Sequence, residues 1–501
     1  MLFVLALSYA FFMPQSLRLD EAQSLWQSSR SPEHIITLVA QDVHVPLYHE
    51  LLHFWRLLIG DSVISARTLS LLLYIACIPL VYAIGARVYS ASVGLFAALL
   101  TSISPFMNWY GNEIRMYTLL TLVVLCSHYF FLRLYHETED SHRSAWIGYT
   151  ITACVGVFVH YFFFLHLLAQ ALFYFLRKEL FPRRALRSFI TIAALVVAMF
   201  APWVWYVYTQ GQAGFQAPQL TAPTTVNLFS AFSEYFFGFQ NDAVNTVFLS
   251  LWPITLLFAY VTLQRNKRLA PTSQYLLIAA IVPPLVAFGV SFIVPVFVSR
   301  YLIFTVPALY LLIGGLLYSY RPRVAFVMRT ALVGFMGAML VIEIVSTQTP
   351  VKEDYREVAA YLSTHATAQD TIILAAPFTV YPVEYYYRGI APITTLPIWD
   401  RYAYGPIPSF NAQQLPAQID DDAGAAQTAW VVLSYDQGYN QDIKWYFDMH
   451  YTRTAEMHFS PGLAVYAYQL RYDTHPNTRA SSTLSYLPAL RTKVSAYSLH
   501  H

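Results

Sequence analysis

Ile64–Ala86 reads ISARTLSLLLYIACIPLVYAIGA, with Arg67 as its only charge. A helix of that length spans the roughly 30 Å hydrocarbon core of a bilayer. Similar runs recur at 1–16, 91–108, 113–134, 145–159, 161–177, 188–208, 244–264, 274–295, 300–319 and 324–346. The whole chain of 501 residues is 57% hydrophobic and 12% charged. An ordinary soluble domain carries about twice that charge, so one water-soluble core would not hold these apolar residues. The expected fold class is a polytopic α-helical membrane protein of about eleven transmembrane helices with a C-terminal non-cytoplasmic α/β domain. The first run, MLFVLALSYAFFM, has no clean signal-cleavage site and no basic residue before it, and reads as a first helix with a shortened start.

Loop charge orients the helices. Arg87, Arg133, Arg143, Arg177, Lys178, Arg183, Arg184, Arg187, Arg265, Lys267, Arg268, Arg321 and Arg323 fall on alternate loops, whereas Thr209–Asn245 has no Lys or Arg. The positive-inside rule then puts the N-terminus in the cytoplasm. The loops 17–63 and 209–243, and everything after 346, fall outside. The domains expected are a membrane domain over 1–346, an extracytoplasmic α/β domain over 347–471 and a flexible tail over 472–501. Within the α/β domain DYREVAAYLSTHA reads as an amphipathic helix, and TIILAA, WVVLSYD and LAVYAYQL read as strands. A net charge of +2 gives no electrostatic case for nucleic acid. Cys77, Cys126 and Cys154 lie in apolar runs without disulfide or metal spacing, which suits small packing residues.

The spans hold almost no charge at mid-membrane, where an ion-coupled transporter usually places ionisable groups. Polar residues instead gather at the outer ends of the helices. Asp20 and Glu21 lie in SLRLDEAQSLW, His44 in QDVHVPLYHELLHFW, Glu113, Arg115 and Tyr117 in NWYGNEIRMYTLL, His160 between two spans, and Arg300 and Tyr301 in VFVSRYLIF. Each has a plainer reading. Asp20 suits a helix N-cap. His49 and His53, at i and i+4, have metal spacing but no third ligand on their helix and also suit interfacial polar tips. Glu113 and Tyr117 share a helical face with Arg115 pointing elsewhere, and Arg115 suits snorkelling to headgroups. Outer arginines run against the positive-inside bias, however, and the guanidinium fork matches phosphate oxygens. The segment VNLFSAFSEYFFGFQ (226–240) is aromatic and amphipathic, either an inert interfacial helix or a cover over a lipid-facing groove. Tyr381, Tyr385, Tyr386, Tyr387, Trp399, Tyr402 and Tyr404 suit core packing or sugar stacking.

The order of these segments resembles the GT-C superfamily of membrane glycosyltransferases, and within it the family 39-type enzymes related to protein O-mannosyltransferases and the lipid A aminoarabinose transferase. The matching pieces are RLDEAQSLW, HVPLYHELLHFW, SARTLSLLL, SPFMNWYGNEIRMYTLL, VSRYLIFTVPAL and DYREVAAYL followed by TIILAA. Val45 stands where the family often has proline. The resemblance implies transfer of a monosaccharide from a polyprenyl-phosphate donor to a lipid, protein or polysaccharide acceptor at the outer face of the plasma (inner) membrane. It implies catalytic roles for Asp20, as acid/base, and Glu113. Glu21, His44, Arg115, Tyr117, His160, Arg300 and Tyr301 are the expected substrate-binding residues. No cofactor is required, and a divalent metal near Asp20, Glu113 and a histidine stays open. The competing readings are a transporter or flippase of a lipid-linked substrate, a membrane-anchored receptor, and a polysaccharide polymerase or ligase.

Overall fold

The computed structural model describes residues 1–42, 44–136, 139–210, 222–265, 270–318, 320–346, 350–402, 407–423 and 426–470. The expected tail, most of the linker at 347–350, the stretch 211–221 of the loop 209–243, Lys267, Arg268 and Tyr404 lie outside the described residues. The chain divides into two units. One comprises Met1–Gln15 and Gln23–Pro350, the other Ser16–Ala22 and the chain from Val351 onward.

The first unit is helical. Its elements are α1 (Leu2–Leu7, continued by a π turn to Phe12), α2 (Leu19–Ser28, from Gln23 on), α3 (Pro32–Ala40), α4 (Leu47–Ile59), α5 (Val63–Val88), α6 (Ala91–Ile103), α7 (Pro105–Gly111), α8 (Tyr117–His136), α9 (Glu139–Gly156), α10 (Phe163–Leu176), α11 (Ala185–Thr209), α12 (Thr225–Phe237), α13 (Asp242–Ser250), α14 (Trp252–Arg265), α15 (Pro271–Val290), α16 (Val306–Leu317, entered through a 3-10 segment Ser299–Thr305) and α17 (Pro322–Val345). A helix or helix pair lies over each expected apolar run. Among the described residues, six helices are long and apolar enough to cross a membrane, or up to eight if α6–α7 and α13–α14, bent by 61° and 41°, are each one span. Leu2–Phe12 and Phe163–Leu176 are shorter apolar helices.

Local chemistry explains several of these features. Arg67, the one charge in the opening stretch, is buried. Its Nη1 donates to the carbonyls of Phe12 (3.1 Å), Met13 (3.1 Å) and Gln15 (2.7 Å), acceptors at the C-terminal end of the first helix. α5 and α6 cross at Gly85 and Gly94, where a Cβ on Gly85 would sit 2.5 Å from the Gly94 Cα. Small residues of this kind let membrane helices approach at backbone distance. The α6–α7 break falls at Ser104-Pro105, and Asn108 Nδ2 donates to the carbonyl of Ser102 (3.0 Å) and to that of Ser104 (2.8 Å), which also accepts from Asn108 N–H (3.0 Å).

Gly238 ends α12 at φ +65°, and a Cβ there would meet the Glu343 carboxylate and lie 2.5 Å from the Pro105 Cβ. Gly238→Ala is expected to cost more than about 1 kcal/mol, read as a lower Tm in detergent without a change in helix content.

One finding departs from the expectation of polar groups at the outer ends alone. His128 and Ser127 on α8, Tyr149 on α9, His166 and Gln170 on α10 and Tyr275 on α15 are buried together. His128 Nδ1 is 2.6 Å from Tyr275 Oη, and His166 Nε2 is 3.0 Å from Ser127 Oγ. Gln170 donates to Ser127 and Tyr275, both at 3.1 Å, and accepts from Tyr149. These groups satisfy one another inside the bundle, which lets neutral polar side chains exist at such depth.

The second unit is a five-stranded mixed sheet in the order β2 (Ile393–Thr395), β1 (Thr371–Leu374), β3 (Thr428–Leu433), β5 (Leu463–Gln469), β4 (Thr452–Ser460). The β2–β1 and β1–β3 pairs are parallel, and the β3–β5 and β5–β4 pairs are antiparallel. One face packs Ile373, Val431 and Tyr466 against Leu415 and Ile419 of α20 (Leu415–Ala423) and Ile443 and Phe447 of α21 (Asn440–His450). On the other face Trp430 meets Tyr361 of α18 (Tyr355–His365), which packs on α19 (Val380–Tyr386). Cover on both faces is why β1 is an unbroken buried run, TIIL. The expected helix and three strands correspond to α18, β1, β3 and β5.

Candidate active site

The chain leaves α7 at Gly111 and enters α8 at Tyr117, so Asn112–Met116 form a non-helical turn. The expectation that Glu113 and Tyr117 share a helical face is therefore corrected: Glu113 lies in the turn. Gly111 packs its Cα against the Tyr74 ring, and Asn112 follows as C-cap. Gly followed by Asn ends a helix readily. The turn is tight, with Arg115 N–H donating to Glu113 O at 2.7 Å.

The turn buries Arg115 deeply. Its Nη1 donates to Ser24 Oγ at 3.2 Å and its Nη2 to His44 Nε2 at 2.5 Å. His44 thus accepts at Nε2, and the geometry assigns its proton to Nδ1. The same Nε2 is 3.9 Å from Asp42, whose Oδ2 takes hydrogen bonds from Gln23 and Gln27, each at 2.9 Å. His49 stacks on His44 with centroids 6.1 Å apart. Burial, and then Arg115, push His49 and His160 each down to about 3. Both imidazoles are neutral at physiological pH, so the positive charge stays on the guanidinium.

His160 packs on Tyr301 at 5.1 Å, Tyr301 faces Tyr117 at 6.4 Å, and the Arg300 guanidinium lies 5.6 Å over the Tyr301 ring. Tyr110 lies within electrostatic reach of Arg300, Glu113, Tyr117 and Glu234. Glu234, on α12, is hydrogen-bonded by Ser299. Burial raises its carboxyl to about 7, with Ser299 and Arg300 opposing the shift. The first unit therefore joins His44, Glu113, Arg115, Tyr117, His160, Arg300 and Tyr301 in one contiguous group of seven expected site residues. It adds Ser24, Asp42, His49 and Glu234, which the sequence reading did not select as site residues. Glu234 had a legible signal, as the one charge in the aromatic stretch 226–240.

Asp20 and Glu21 group with the second unit. Both lie in the first turn of α2, where the helix dipole favours carboxylates. The N-cap reading of Asp20 is corrected: the buried Glu21 carboxylate accepts from Arg18 N–H at 2.9 Å and caps the helix, as the acid of a capping box does. Of the aromatics of the second unit, Tyr381 packs on Trp399 at 6.2 Å, Tyr387 Oη accepts from Ala391 N–H, and Tyr386 Oη accepts from Leu17 N–H at 3.0 Å.

His53 turns its Nδ1 to Ser28 O at 2.9 Å, away from any pairing with His49. Among the described residues no group of three or more His, Cys, Asp or Glu side chains is arranged to hold a metal ion.

A family model described as dolichyl-phosphate-mannose-protein mannosyltransferase matches residues 43–206. The fold is similar to that of ArnT from Cupriavidus metallidurans in the apo state, with a TM-score of 0.60, 14% identity, and coverage of 93% of this chain and 97% of that one. The same protein bound to undecaprenyl phosphate gives a TM-score of 0.56 at 14% identity and the same coverage. No curated protein matches the sequence.

Proposed function

We propose, on the premise of the GT-C membrane glycosyltransferase architecture that this chain shares with those structures, that it moves a monosaccharide from a polyprenyl-phosphate donor to an acceptor hydroxyl. The observation that carries the reading is the pair of arginines, Arg115 and Arg300, in one group with neutral histidines and tyrosines. Such a site keeps positive charge where a lipid phosphate would lie, and its fork donors match phosphate oxygens. A relative of the same fold, ArnT, is known bound to undecaprenyl phosphate.

The chemistry is a single displacement. The acceptor oxygen attacks the anomeric carbon and its proton passes to Asp20, a general base. The anomeric C–O bond to phosphate breaks, and Arg300 and Arg115 stabilise the departing polyprenyl phosphate. The product is inverted. Glu113, beside Tyr110 and Arg115, is the second acid and orients sugar hydroxyls. His44, Tyr117, His160 and Tyr301 line the donor, and Glu21 acts through the cap that holds the start of α2. The acceptor is a lipid, a protein or a polysaccharide, and the site faces the non-cytoplasmic side of the plasma membrane, with the N-terminus in the cytoplasm. The test is transfer of labelled sugar from a panel of polyprenyl-phosphate monosaccharides into membranes containing the full chain, with the anomeric configuration of the product read by NMR. Retention contradicts the displacement. No transfer from any donor, together with lipid-substrate movement in proteoliposomes, moves the reading to a flippase.

Glu234 sets the pH range of donor binding. It faces Arg300 and Ser299 from the 3-10 segment and Tyr110 from α7, and Glu343 of α17 accepts from Phe239 N–H at the end of the same helix. With its carboxyl raised to about 7, Glu234 is neutral below that pH and does not offset the charge of Arg300. Above it the carboxylate offsets that charge. Donor KM is expected to rise severalfold as pH climbs through about 7, and Glu234→Gln is expected to hold it low and flat.

A further inference from the structure

The segment that carries the proposed base belongs to the outer unit. Ser16–Ala22 groups with the chain from Val351 onward, and two of its first residues are anchored there. Ser16 Oγ accepts from Arg356 N–H at 3.2 Å. Leu17 N–H donates to Tyr386 Oη at 3.0 Å. The Arg356 guanidinium lies 5.4 Å over the Tyr386 ring, tying the two anchors together. Arg18 N–H is then taken by Glu21. Three consecutive residues are thus fixed before the helix begins, and Asp20 follows within its first turn. Tyr386 is the last residue of α19, which packs on α18, and Tyr355 of α18 meets Ser434 beyond β3 at 2.7 Å. A rigid path runs from the sheet to the backbone of Leu17. Glu353, just before α18, lies within electrostatic reach of both Arg18 and Asp20.

We infer that the outer α/β domain positions the catalytic base, with Tyr386 as the principal positioning residue and Glu353 as a second. The inference rests on the reading of Asp20 as base. A general base must lie within hydrogen-bond reach of its proton, and a shift of about 1 Å in such a group costs up to about 10²-fold in rate. Removing the Tyr386 hydroxyl frees Leu17 and lets the start of α2 drift, while leaving the arginine group in the first unit unchanged.

The experiment compares the purified full chain with its Tyr386→Phe, Glu353→Gln and Asp20→Asn variants, measuring kcat, donor KM and Tm. The expected result is a fall in kcat of about tenfold for Tyr386→Phe and a smaller fall for Glu353→Gln. Donor KM and Tm stay at wild-type values in both, and Asp20→Asn is inactive. A purely structural role would move Tm and not split kcat from KM. Unchanged kcat in Tyr386→Phe and Glu353→Gln, with Asp20→Asn inactive, overturns the inference alone. So does a loss of activity that only tracks the loss of folded protein. Full activity in Asp20→Asn overturns the base assignment and the inference with it.

Discussion

Membranes carrying Asp20→Asn are expected to transfer sugar about 10²- to 10⁴-fold more slowly than wild type, the range that a positioned general base contributes. The substitution keeps the shape of the side chain and removes its ability to take a proton. Glu21 supplies the cap of α2, so the helix start should survive the change, and expression and Tm should stay near wild type. Donor KM should hold as well, because the proposed mechanism assigns the phosphate to Arg115 and Arg300. A variant with normal transfer would show that Asp20 only complements the helix dipole. Asp20→Glu should restore part of the rate, since the proton acceptor is present but displaced by one methylene.

The second large effect is expected at Arg300. In the proposed displacement, replacing it with glutamine takes a cation away from the leaving phosphate and should lower kcat about 10²- to 10³-fold, as loss of one preorganised electrostatic donor does. Arg300→Lys keeps the charge but not the planar fork or the stacking over Tyr301, so partial activity with a raised donor KM is expected. Saturation with excess donor should not rescue the glutamine variant. Wild-type rates in both variants would overturn the role of Arg300 at the phosphate.

Much of this was legible before any coordinates. Lipid imposes a strong length and polarity filter on each span, so apolar runs translate directly into helices over Val63–Val88, Ala185–Thr209 and Pro322–Val345. β1, β3 and β5 were legible because strands covered on both faces must be continuously apolar. β4 was not, because TRTAEMHFS is an exposed edge strand whose side chains meet water. At the site, residue types were legible and conformations were not. Apolar periodicity carried α8 back through Glu113, but the Gly111–Asn112 stop wins locally. Asp20 looked like the cap because aspartate favours that position, whereas the helix starts at Leu19, two residues earlier than that cap implies, and Glu21 reaches back instead. The buried group around His128 and Tyr275 was invisible because each of its members, taken alone in an apolar run, is unremarkable. Only packing brings them together.

The break between α6 and α7 also bears on how the chain is made. Asn108 can satisfy the local carbonyls as soon as the helix emerges, but Ser104 is held from far along the sequence. Tyr310 Oη donates to Ser104 Oγ at 2.9 Å, and Ser104 Oγ is 3.3 Å from Tyr235 O. Those partners are synthesised only when α12 and α16 emerge from the ribosome. The bend that leads into the Arg115 turn therefore takes its final form late in biogenesis. A nascent chain stalled before α16 would insert its early helices without the contact that completes this bend.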